Sequence, residues 1–163
     1  MVICLEKTTL CYIEQNDCYL MLHRTKEECD MNKDKWLGIG GHFEKGETPD
    51  ECIIREVKEE TNLTLTDYTL RGIILFEEND YKEMIYLYTS TAFKGKIKEC
   101  LEGDLVWVNK DDVLNLNIWE GDKVFLKMLN DKEPYFILKL IYDNDKFIGS
   151  ELLDDIPEVY KRS

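Results

Sequence analysis

The sequence predicts an α/β or α+β fold, because extended runs recur along the chain and two stretches among them carry the apolar spacing and end signals of substantial helices. Thr8 to Glu14 and Cys18 to His23 read as strands joined across Asn16-Asp17, a two-residue hairpin signal. The polar run Thr25 to Lys35 reads as a loop long enough to serve binding. Trp36 to Ile39 is a short extended piece that delivers Gly40-Gly41, expected in a turn; Gly46 marks a second turn. The first helix opens at Thr48-Pro49-Asp50-Glu51, where Thr can cap, Pro suits the first helical position and Glu51 closes a capping box. It should stop near Asn62, a residue that tolerates the left-handed conformation just past a helix end.

Two further extended runs follow, Thr69 to Phe76 and Met84 to Phe93, with polar Glu77 to Lys82 as the end of their hairpin. Leu105 to Val108 is another strand, and Lys110-Asp111-Asp112 opens a short helix. A second substantial helix is predicted from about Glu120 to Asn130, with Val124, Phe125, Met128 and Leu129 at core spacing. The chain then returns to strands, Tyr135 to Tyr142 and Lys146 to Leu152, turning at Asn144-Asp145 in a C-terminal hairpin of about 135–153. The order of elements alone does not choose an architecture.

A chain of 163 residues, 44% hydrophobic and 34% charged, is expected to form a single domain, 1–163, with a real core. Its net charge of −13, from 21 basic and 34 acidic residues, argues against nucleic-acid polymers and anionic membranes, which are gripped by Lys and Arg. A small phosphorylated substrate fits if cations neutralise it. The six cysteines form no C-x-x-C pair and only two histidines accompany them, so a zinc site is not expected. With no leader and no long apolar run, the chain reads as a reduced cytoplasmic protein. Its oligomeric state is left open.

The chemistry gathers on the first helix. On a wheel of about 100° per residue, Ile53, Ile54 and Val57 share one side, while Glu56, Glu59 and Glu60 share another with Arg55 at its edge. Carboxylates at i, i+3 and i+4 repel one another, by a few tenths of a kcal/mol per pair. Such a cluster is either a solvated acidic face or a site for a hard divalent cation, since Mg²⁺ takes oxygen ligands from carboxylates and phosphates.

Residues 41–63 resemble the Nudix box, G-x5-E-x7-R-E-U-x-E-E-x-G-U with U aliphatic. Gly41, Glu47, Arg55, Glu56, Val57, Glu59, Glu60 and Leu63 meet every spacing; the departure is Asn62 in place of glycine. The resemblance implies a Nudix-type α/β/α sandwich with a central mixed β-sheet, the helix on one face. It further implies hydrolysis of a nucleoside diphosphate linked to another group, with Mg²⁺ (or Mn²⁺) as cofactor. Glu56 and Glu60 are then metal ligands, Glu59 a ligand or near neighbour, the Gly40 carbonyl a further ligand, and Glu47 with Arg55 an orienting pair. The general base is either a glutamate of the helix, such as Glu56, or one from a later loop. Glu102, in the acidic patch Glu99, Glu102 and Asp104, is the later candidate and a possible ligand.

The flanks are similar to MutT-like 8-oxo-dGTP diphosphatases, sanitisers of the nucleotide pool that act in DNA repair. In Leu116-Asn117-Ile118-Trp119-Glu120-Gly121-Asp122, Trp119 matches the residue that stacks on the base and Asp122 the one that reads its edge. Gly121 stands where some relatives carry a second Asp, and Leu37 where some carry an Asn used on the base. Arg24 is a candidate for phosphate or base, and Phe76 for the pocket wall. The C-terminal hairpin is expected to add little to function. The resemblance points to cleavage of 8-oxo-dGTP or a related oxidised purine nucleotide to monophosphate and pyrophosphate. Another nucleoside diphosphate derivative such as ADP-ribose, or a non-catalytic nucleotide-binding module, is the alternative.

Overall fold

The computed structural model describes residues 4–26 and 31–161. Cys29 and part of the predicted 25–35 loop therefore lie outside the described residues. Nine strands and three α-helices are formed among the residues described: β1 (Cys4–Gln15), β2 (Cys18–Arg24), β3 (Trp36–Leu37), β4 (Ile39–His42), α1 (Pro49–Thr61), β5 (Thr64–Glu78), β6 (Tyr81–Lys94), β7 (Gly103–Asn109), α2 (Lys110–Val113), α3 (Glu120–Asn130), β8 (Phe136–Asp143) and β9 (Lys146–Leu153). A 3-10 turn, Glu158–Lys161, follows.

The sheet runs β3-β2-β1-β6-β5-β8-β9, with β4 added to β1 and β7 to β2. It is mixed: β1 lies parallel to β6 and β5 parallel to β8, while the other pairs are antiparallel. Because strand side chains alternate between faces, Cys11 and Ile13 of β1 pack towards Ile53 and Val57 of α1, whereas Tyr12 packs with Phe125, Leu126 and Leu129 of α3. The two helices thus cover opposite faces, which is the α/β/α sandwich. Beyond them, Tyr160 of the 3-10 turn packs on Ile73, Leu75 and Ile137. None of the helices described is long and apolar enough to cross a membrane.

Local sequence signals act as expected at the turns and caps. Asn16-Asp17 and Asn144-Asp145 both take positive φ, as tight hairpin turns require. Thr48 accepts from the Glu51 amide at 3.2 Å while Glu51 accepts from the Thr48 amide at 3.0 Å. Asn62 closes α1 at φ 72°, and its side-chain amide donates to the Lys96 carbonyl at 3.0 Å. The asparagine thus keeps the left-handed cap and adds a tie to the segment that leaves β6.

Several elements differ from the expectation. Gly40 and Gly41 lie in strand β4, paired with Leu10 and Thr9, not in a turn. Glycine is needed there for close approach: a Cβ on Gly40 would collide with the Thr9 carbonyl, and one on Gly41 would fall 2.5 Å from the Glu56 carboxyl carbon. The β5–β6 hairpin is longer than predicted and turns at Asn79-Asp80, because Glu77 pairs across the ladder with Lys82, their charged ends 2.9 Å apart. In α3, Leu126 joins Phe125 and Leu129 as fully buried, with Val124 and Met128 packed at the margin.

The Asn62 cap gives a direct test. N62A should lower the free energy of unfolding in urea by ~1 kcal/mol, because alanine keeps a Cβ in the left-handed region but lacks the polar side chain that tolerates it and the bond to Lys96. N62G should stay within ~0.5 kcal/mol of the native protein.

Candidate active site

Helix α1 meets β4 where the two glycines leave room, and the acidic side of the helix faces this contact. Arg55 is its hub. Nε and Nη2 donate to the two oxygens of Glu47 at 2.6 and 2.9 Å, and Nη2 also donates to the His42 carbonyl at 3.0 Å. Nη1 donates to Glu56 at 2.8 Å and to Glu59 at 3.1 Å. A guanidinium has five N–H donors, and these five bonds use them. The Glu47 carboxyl is held down at about 2, chiefly by its hydrogen bonds from Arg55. Glu56, also bonded to Arg55, is nevertheless raised by desolvation, with Glu59 and Glu102 adding to the rise.

Glu60 sits deeper and accepts from the Gly40 amide at 3.3 Å. Burial pushes its carboxyl up to about 9, with Glu102 and Glu56 adding to the rise. Glu102 comes from the loop before β7 and is held by Arg24, whose Nη1 donates to it at 3.1 Å. One pocket of about 520 Å³ is lined at this end by Gly40, Gly41, Glu56, Glu60, Glu102 and Arg24. Glu59 does not line it; its side chain is 57% exposed and turned to Arg55.

The same pocket reaches Phe76, Trp119, Asp122 and Leu37 at its other end. Trp119 stands at the N-cap of α3 without capping it by its side chain. Its indole N–H donates to Asn32 at 2.7 Å, and the Lys35 ammonium lies 4.6 Å from its ring centre. Asp122 is pushed up to about 7 by burial, with Lys35 opposing the rise and Glu83 adding to it. A carboxyl balanced there can donate or accept near neutral pH.

The C-terminal hairpin, expected to matter little, supplies part of this wall. Tyr142 of β8 crosses Trp119 edge-on at 6.0 Å between centroids and tilts against Phe76 at 5.1 Å. Its hydroxyl accepts from the Gly121 amide at 2.7 Å and would lie 2.7 Å from a Cβ placed on Gly121. A side chain at position 121 would therefore run into this phenol. Tyr81 and Glu83 of β6 also line the pocket. No sequence signal singled these residues out, since they reach the pocket through sheet pairing.

Residues 5–129 match the NUDIX domain family. The chain belongs to that family. It is a Nudix hydrolase, of a family that acts on pyrophosphate bonds of nucleoside derivatives and generally uses divalent metal ions. It is 27% identical over 124 residues to the uncharacterized Nudix hydrolase YvcI of Bacillus subtilis, covering 72% of this chain and 75% of that one. It is 26% identical over 127 residues to the oxidized purine nucleoside triphosphate hydrolase of Danio rerio, covering 77% of this chain and 81% of that one. Among solved structures, a MutT protein from Bacillus halodurans superposes with a TM-score of 0.82 at 28% identity, over 93% of this chain and 99% of that one.

Among the described residues, no three Asp, Glu, His or Cys side chains are already gathered around one ion-sized point. Arg55 explains this for Glu56 and Glu59, which it draws to itself. The donors that line the pocket still fit a hard cation. They are all oxygens, the missing Cβ of Gly41 leaves clearance at the Glu56 carboxyl, and the desolvation that disfavours charge on Glu60 is the penalty an ion would relieve.

The Glu47–Arg55 pair carries a pH signature. The folded-state value of Glu47 lies below the unfolded ~4.3, so its contribution is full above that pH and is lost as pH falls towards 2. E47Q should be less stable than the native protein by ~1–2 kcal/mol at neutral pH. Urea unfolding at a series of pH values should show this gap closing below pH ~4.

Proposed function

We propose that this Nudix hydrolase cleaves an oxidised purine nucleoside triphosphate, 8-oxo-dGTP or a related nucleotide, to the monophosphate and pyrophosphate. Mg²⁺, or Mn²⁺, is the cofactor. The observation that carries the reading is the single pocket that runs from the Glu56, Glu60 and Glu102 end to the Trp119 and Asp122 end. Its acidic end and its aromatic end suit a nucleotide with the phosphates at the acids and the base at the indole. The names of relatives from fish and mouse, both oxidized purine nucleoside triphosphate hydrolases, support the same substrate class.

In this reading Glu56, Glu60, Glu102 and the Gly40 carbonyl hold the cation, while Glu59 stays a neighbour unless Arg55 releases it. A divalent ion held by these residues would supply positive charge against the phosphates and would make a nearby water easier to deprotonate. Arg24 holds Glu102 in place and offers positive charge to the phosphates. Glu56 or Glu102 takes the proton as water attacks the β-phosphorus; the bond from that phosphorus to the α–β bridging oxygen breaks, and the monophosphate leaves. Trp119 stacks on the base, Asp122 pairs with its edge and Phe76 closes the wall.

The test is a hydrolysis panel with product identification. kcat/KM should be highest for 8-oxo-dGTP, lower for dGTP and lowest for ADP-ribose. In 18O-labelled water the label should enter pyrophosphate; orthophosphate with a nucleoside diphosphate as products would refute the cleavage site. E60Q should lower kcat by ~100-fold or more, the scale of losing a charge-stabilising group in an active site. W119A should raise KM by ~10-fold through lost stacking with a smaller change in kcat.

A further inference from the structure

Oxidation changes the hydrogen-bonding character of a purine at one edge. Guanine presents N7 as an acceptor; in the 8-oxo form N7 carries hydrogen and becomes a donor. A site that prefers the oxidised base therefore needs an acceptor at that edge, one that would repel the N7 lone pair of the unoxidised base.

The base end of the pocket is an aromatic arc. Trp119 meets Tyr142, Tyr142 meets Phe76 at 5.1 Å between centroids, and Phe76 meets Tyr81 edge-on at 5.9 Å. Each end of the arc carries a carboxylate. Asp122 stands one helical turn beyond Trp119, and Glu83 stands two residues beyond Tyr81, on the same face of β6. Both line the pocket, as does Thr8 of the neighbouring strand β1. Leu37, on β3, contributes only apolar surface to the same space.

Glu83 is fixed from two sides. Thr8 Oγ1 donates to Oε2 at 2.7 Å, and the Tyr81 hydroxyl donates to Oε1 at 2.7 Å. Burial and Glu83 itself raise the Tyr81 phenol well above its usual range, so this hydroxyl keeps its proton and stays a donor. Both anchors therefore leave Glu83 presenting acceptor lone pairs, and a carboxylate oxygen can accept more than one bond. Asp122 is affected by its charge, which agrees with the two acids facing one space.

We propose that Glu83 is a specificity-determining residue that accepts a hydrogen bond from the N7–H of an 8-oxopurine stacked in the aromatic arc. The inference rests on the oxidised-purine reading above and adds the group that separates the oxidised base from the ordinary one. Asp122 then reads the opposite, N1 and N2 edge. Leu37, whose side chain has no hydrogen-bonding group, adds nothing polar to this recognition.

The test is equilibrium binding of monophosphates to the full chain without metal, followed by tryptophan fluorescence or calorimetry. The probes are 8-oxo-dGMP, dGMP and 7-methyl-8-oxo-dGMP, in which a methyl replaces the N7 hydrogen. The native protein should bind 8-oxo-dGMP about tenfold more tightly than either other probe, the scale of one hydrogen bond to a charged acceptor. E83M removes the acceptor at similar length and should reduce both preferences to less than about threefold. E83Q, which keeps one neutral acceptor oxygen but places an NH2 donor against one of the two hydroxyls that now donate to Glu83, should fall between the two. An unchanged preference for 8-oxo-dGMP in folded E83M overturns the role of Glu83 while leaving the oxidised-purine reading in place. Should E83M fail to fold, equal native affinity for 8-oxo-dGMP and its N7-methyl analogue overturns it. Native protein that binds none of the three refutes the oxidised-purine reading, and the role of Glu83 with it.

Discussion

Burial and like charge work against the carboxylates of Glu56 and Glu60 where they meet Glu102 in one corner, and the surrounding structure is arranged around that constraint. Desolvation and the neighbouring acids raise Glu56 and Glu60, while Arg55 directs its donors to Glu47, Glu56, Glu59 and the His42 carbonyl. The close approach that creates the corner is set by two glycines in β4. Side chains there would strike the Thr9 carbonyl or the Glu56 carboxyl, and α1 could not lie so near the strand. The Nudix box thus joins a glycine that permits close approach, a Glu–Arg pair that ties the helix to the segment before it, and the acids that the proposed function assigns to a cation.

The rest of the sheet converts this corner into a nucleotide-sized site. β1 delivers Thr8, β6 delivers Glu83 and β8 delivers Tyr142, all opening onto the pocket from one sheet. α3 packs over the same face and brings Trp119 and Asp122 at its first turn. Under the proposed function a base held there would lie beside aromatic rings and between carboxylates, with its phosphates extending towards α1. Strong net acidity and a phosphate substrate are compatible on that proposal, because the charge of the phosphates would be met by ions at the site and not by a basic surface.

Much of this was legible from local chemistry. The Thr48 capping box, the Asn62 cap and the Asn-Asp hairpin turns depend only on near neighbours, and each forms as its residues indicate. The spacing from Gly41 to Leu63 identified the family because eight positions had to agree at once. Features set by distant pairing were not legible. Gly40-Gly41 resembles a turn until β1 supplies the partner that makes it a strand. Tyr142 lies about twenty residues beyond Trp119 and touches it only because α3 crosses β8. Glu83 lies in an alternating strand like many others, and its character comes from Thr8 on the adjacent strand and Tyr81 on its own.

The most direct measurement of the central claim is a titration with paramagnetic Mn²⁺ in the absence of nucleotide, read by electron paramagnetic resonance and water relaxation. The account predicts saturable binding to the native chain that is lost in E56Q and in E60Q, although both variants keep the native circular dichroism. Mn²⁺ that fails to bind the native chain, or that binds all three proteins alike, would contradict it.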